Sequence, residues 1–154
     1  MTTIIRLTRL LPSIQRLSFT SCSGHASEMS WSGKGVGTVT PEAHSGGVRF
    51  IEQGHFLPRG QSRDVAFRNV YRWDLHPERI ALYHERRGTE AAVWLFDLIA
   101  DSASTLSSHA PHLCGADTYR ARLTLEPRGF RLDWHIVGPR KDERLLYHYQ
   151  SSTD

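Results

Sequence analysis

Residues 117–149 alternate with period two almost without interruption, and this constrains the fold more than any other feature of the chain. Asp117, Tyr119, Ala121, Leu123 and Leu125 share one face, against Thr118, Arg120, Arg122, Thr124 and Glu126 on the other. Pro127, Arg128 and Gly129 turn the chain, and Phe130, Leu132, Trp134 and Ile136 then oppose Arg131, Asp133 and His135. Gly138 and Pro139 break the run before Leu145, Tyr147 and Tyr149 close it. A helix would send residues two apart to different faces, so the pattern demands strands.

The upstream chain repeats the same grammar. Residues 31–40 contain Gly33, Gly35 and Gly37, a spacing that invites a nucleotide-loop reading. No helical pattern follows, and Val36, Thr38 and Val39 favour a strand with one bare face, suited to coiling or to close approach of a ligand. Residues 48–56 place Val48, Phe50, Glu52 and Phe56 on one side, with Glu52 the odd member. In residues 63–73, Val65, Phe67, Asn69, Tyr71 and Trp73 share a face. Residues 79–85 follow, and then residues 91–99, apolar apart from Asp97 and expected to be the most buried strand. The Ser-rich and Ala-rich residues 101–111 are expected to form a loop. Eight or nine short strands with turns between them predict an all-β, single-domain antiparallel barrel. A barrel of about that size has room for one small ligand.

Composition narrows the partners. Net charge is +3 and the Arg residues are scattered, so no nucleic-acid partner is expected. No apolar run reaches the roughly 20 residues of a spanning helix, so no membrane span is expected. Two cysteines, Cys22 and Cys114, make no disulfide framework and suit a reducing compartment. The chain is expected to be soluble and monomeric, although no residue pattern specifies an oligomeric state. Residues 1–30 form a basic segment whose first acid is Glu28. Its structural reading is a short helix over residues 3–11, stopped by Pro12, then a first strand over residues 14–19. Its targeting reading is a mitochondrial presequence, because it is Arg-rich, Ser-rich and acid-poor. Residues 31–150 are then the barrel and residues 151–154 a tail. The expected location is cytoplasmic, with mitochondrial as the alternative.

The chemistry-bearing residues gather late in the chain. His109, His112, Cys114 and Asp117 match no strong zinc spacing, so no metal is assigned. No histidine singles itself out as a haem ligand, and no cofactor is assigned. His112 and Cys114, two residues apart, share a strand face as a base and nucleophile would; a small buried cysteine is the plainer reading. Glu52, Asp97 and Asp117 supply carboxylates for acid–base work with Tyr119 or His84, or else pair structurally with Arg and Tyr. Arg140, Lys141 and Asp142 make an exposed turn, with Lys141 available to an anion at a barrel mouth.

Five ordered motifs carry a resemblance. They are Phe50, Glu52 and Gly54; Asn69, Tyr71, Arg72 and Trp73; residues 95–98; His112, Cys114, Asp117 and Tyr119; and Trp134, Gly138, Pro139 and Lys141. Across residues 33–149 they resemble domain-of-unknown-function family 6314, particularly its fungal members. The resemblance implies a lipocalin-like, calycin-type barrel with no established activity. The leading expectation is a binder of a small hydrophobic or aromatic molecule. Tyr71, Trp73, Tyr119 and Trp134 would line its cavity, Glu52, His112 and Asp117 would fix the ligand, and Lys141 would stand at the mouth. The alternatives are an acid–base enzyme or isomerase using the same cavity, and an interaction module without a ligand.

Overall fold

The computed structural model describes residues 2–24, 32–85, 88–108, 112–114 and 116–152, with the backbone alone for residues 89 and 112–114. A helix, α1 (Thr3–Leu10), opens the chain, with the Thr2 hydroxyl accepting from the Ile5 amide at its N-terminus. Ile4, Leu7 and Leu11 recur at helical spacing and are buried together. Pro12 ends the helix in a tight turn, Leu11–Ser13.

Eleven strands follow among the described residues: β1 (Ile14–Ser23), β2 (Gly33–His44), β3 (Gly47–Pro58), β4 (Val65–Leu75), β5 (Ile80–His84), β6 (Val93–Ala100), β7 (Thr105–Ser107), β8 (His112–Cys114), β9 (Asp117–Glu126), β10 (Gly129–Gly138) and β11 (Lys141–Ser151). All pairings are antiparallel, and the β9–β10 ladder closes the sheet into a ring of ten strands. β8 stands outside that count, because it shares with β7 the same edge of β9. The ring is one strand larger than the pattern predicts. The extra strand is β7, three residues inside the stretch expected to be a loop, and its pairing with Thr124, Leu123 and Arg122 makes it a strand. β6 also differs from expectation: Val93, Trp94 and Ile99 are exposed, and it is not the most buried strand. A barrel wall has one face in solvent, and Trp94 spends its indole N–H on Asp97 there, at 3.0 Å.

Closure runs from one end to the other. α1 lies across the end where β6 and β7 meet, with the Thr3 hydroxyl donating to the Ser102 carbonyl and Arg6 to the Ala103 carbonyl, each at 2.7 Å. Inward residues near this plug, such as Leu123, Phe130 and Leu132, are fully buried. At the opposite end Phe19, Phe67, Tyr119, Ile136 and Leu145 are only partly covered. That end is the mouth. Gly37 faces Gly54 where β2 and β3 coil most tightly: a Cβ on Gly54 would lie 2.7 Å from the Gly37 Cα. The bare face expected at Gly35 is taken by the Phe19 ring. No helix among the described residues is long and apolar enough to cross a membrane.

The outer wall of β3, β4 and β5 is held by charge. Glu85 accepts from Arg49 and from Arg72, both at 2.9 Å, and the Arg72 guanidinium lies 4.2 Å above the Tyr83 ring. Burial raises the Glu85 pKa, but the two arginine hydrogen bonds outweigh it and the net shift is downward. Its stabilisation is therefore present above the usual carboxylate range and lost as pH falls through the lowered value. Glu85→Ala should cost about 2–3 kcal/mol at pH 7 and much less at pH 3, measured by urea unfolding at both. Equal losses at the two pH values would count against the ion network.

Candidate functional site

Midway between plug and mouth the barrel interior turns polar. Glu52 stands on β3 in a row of apolar neighbours and has no exposure at all. The Tyr149 hydroxyl, reaching across from β11, donates to Glu52 Oε2 at 2.6 Å. A second hydrogen bond joins the hydroxyls of Tyr71 and Tyr147. Tyr147 stacks on Tyr149 at 5.6 Å, and Tyr71 stacks on His84 at 4.8 Å. Strand alternation explains the assembly: each of these side chains occupies an inward position, and closure of the ring brings β3, β4, β5 and β11 face to face.

The environment sets the charge. Burial pushes the Glu52 pKa up to about 8, and the Tyr149 hydrogen bond opposes that shift only in part. Glu52 is thus a neutral acid at pH 7, able to donate as well as accept. Burial also raises the Tyr71, Tyr147 and Tyr149 hydroxyls, and the nearby Glu52 adds to the effect. At pH 7 the network is predominantly protonated.

Three buried polar atoms here have no hydrogen-bond partner among the described residues: Glu52 Oε1, Trp73 Nε1 and Trp134 Nε1. Trp134 makes an edge contact with Tyr71 at 5.7 Å, and Trp73 packs on Phe50 at 5.5 Å. Four of the residues expected from the sequence, Glu52, Tyr71, Trp73 and Trp134, therefore line one interior. Tyr119 lies within electrostatic reach of Tyr71 on the mouth side. Asp117 and Lys141 are elsewhere, at the rim, where they form an ion pair of 3.4 Å. The backbone of His112 pairs with Tyr119, and that of Cys114 with Asp117, while their side chains, together with His109, lie outside the described residues.

Asp97 is on the outer wall with Trp94 and Arg79, away from Glu52. Tyr149, the hydrogen-bond partner of Glu52, is the site residue to which the sequence assigns no site role, and Tyr147 is not among the expected ligand-lining residues. The signal was there in the period-two row of Leu145, Tyr147 and Tyr149, but it reads equally as a closing core strand.

Fold and interior together define a closed antiparallel β-barrel, plugged by a helix at one end and carrying an acid–phenol network in its core. The model of a family of unknown function, DUF6314, matches residues 18–151, from within β1 to the last residue of β11, and the chain belongs to that family. No curated protein matches it.

Proposed function

We propose that the protein binds one small, largely hydrophobic or aromatic molecule inside its barrel, as lipocalin-like carriers do. The observation that carries this reading is the set of unpartnered atoms Glu52 Oε1, Trp73 Nε1 and Trp134 Nε1 inside an otherwise apolar interior. Buried polar groups are nearly always hydrogen-bonded, because an unmet one costs about 1–3 kcal/mol. A ligand with a carbonyl or ether oxygen would accept from neutral Glu52 and from an indole N–H. Tyr71, Tyr119 and Trp134 would sandwich its ring system, and the rim residues Asp117 and Lys141 would meet its outer end.

The test uses the neutral probe N-phenyl-1-naphthylamine together with native mass spectrometry of protein purified from its own source. Saturable one-to-one probe binding is expected, weakened about tenfold in Glu52→Leu, which removes the carboxyl oxygen Oε1 to which the probe's N–H would donate. Absence of probe binding together with absence of any retained mass would end this reading.

A second reading is favoured by one feature. A carboxyl held near pKa 8 among phenols is poised as a general acid at neutral pH. In that case the same pocket would turn its ligand over, and the rate would fall as pH rises through about 8. The cytoplasmic reading is supported by α1: removing it as a presequence would uncover Leu7 and Leu11.

A further inference from the structure

We propose that the outer wall formed by β9, β10, β11 and β1 binds a polyphosphorylated small molecule. The strand alternation that sends Leu123, Leu132 and Tyr147 inward sends a different set outward. Arg120 lies directly opposite His135, His135 opposite Arg144, and Arg144 opposite Cys22. One row away, Arg122 faces Asp133. These residues line a surface groove of about 470 Å³. A second groove of about 390 Å³ shares Thr20 and Cys22 with it and adds Lys34 and Arg59. The two grooves adjoin at Thr20 and Cys22, and five permanent cations stand along this trough.

The wall's own acids do not account for Arg120 and Arg144. Asp142 is held by His135 at 2.9 Å, and Asp133 lies 3.6 Å from Arg131, outside the trough. Asp101 acts on Arg122 electrostatically. Arg120 and Arg144 form no salt bridge among the described residues. Arg120 and Arg144 flank His135, and Asp142 is already engaged by that histidine.

Phosphate fits this arrangement better than other anions. The guanidinium fork matches phosphate oxygens two at a time. The Cα atoms of Arg120 and Arg122 are about 7 Å apart along the strand, and those of Arg120 and Arg144 about 10 Å apart across two strand spacings. That spread suits linked phosphates rather than one tetrahedral ion. The outward rows of these four strands carry no Phe, Tyr or Trp on which a base could stack, which argues against single-stranded nucleic acid.

Inorganic triphosphate is the probe, titrated calorimetrically into the full chain at fixed ionic strength. One-to-one binding is expected. It should weaken at least about tenfold in Arg120→Gln/Arg144→Gln and stay unchanged in Arg68→Gln, an exposed arginine off the trough. It should also survive Glu52→Gln, which separates it from the interior site. Cys22 provides a readout of position. Triphosphate at ten times its Kd should slow alkylation of Cys22 by about tenfold, read by peptide mass after N-ethylmaleimide. Binding that ignores the arginine double variant, or no binding at all, would overturn the proposal. So would a mixed-sequence oligonucleotide that outcompetes triphosphate at equal phosphate concentration.

Discussion

Between about pH 5 and pH 8 the unfolding free energy should carry a component that falls by about 1.4 kcal/mol per pH unit, and Glu52→Gln should abolish it. Burial lifts the Glu52 pKa from 4.5 to about 8, so the folded protein holds a proton that the unfolded chain releases above 4.5. Stability from this source is fully present below 4.5 and is lost as pH rises through about 8. The sum over that window is on the order of a few kcal/mol, a large share of the 5–15 kcal/mol that holds a domain folded. Gln keeps the shape and an oxygen for the Tyr149 hydroxyl, but it does not titrate. Urea unfolding at pH 5, 6.5 and 8 separates the cases. Parallel pH profiles for the wild type and Glu52→Gln would show that Glu52 is not a buried neutral acid.

The helical plug gives the second large effect. Leu7 and Leu11 have no solvent exposure, although both come from a segment of only a few turns. So short a helix is marginal by itself, and its order derives from the barrel end it covers. Leu7→Ala and Leu11→Ala should each cost about 2–5 kcal/mol, the range for a large core side chain that leaves a cavity. The two sites are one turn apart and their effects should not add simply. Arg9→Ala, on the exposed side of the same helix, should stay within about 0.5 kcal/mol. If Leu7→Ala lowers the melting temperature no more than Arg9→Ala does, the helix is not a plug.

Much of the architecture was legible because a barrel wall imposes a period of two on every strand. β9 and β10 could be read residue by residue, and their register joins Phe130 to Leu125 and Trp134 to Ala121 as the alternation requires. β7 could not: Thr105, Leu106 and Ser107 are too few to show a period, and only their partners on β9 make them a strand. β6 misled because its apolar run resembles a strand buried on both sides, whereas Val93 and Trp94 face outward. Glu52 was conspicuous as a charge in an apolar row. Its neutrality was not, since that depends on how completely β4 and β11 enclose it. The outward arginines were visible as alternating residues, but their lateral alignment is a property of register between strands, and no single strand contains it.

The ring has one thin seam. β6 meets β7 at only two positions, Ile99 with Ser107 and Ala100 with Leu106, while the β2–β3 ladder runs the whole length of both strands. Cooperative units of structure separate where the fewest bonds hold them, so the barrel behaves as a clasp with its fastening between β6 and β7. Breathing there would part the wall sideways while the β1–β2–β3 side stays shut. A guest too large for the aromatic mouth would then have a lateral route to the core, and its exchange rate would follow the strength of that short ladder rather than the width of the opening above.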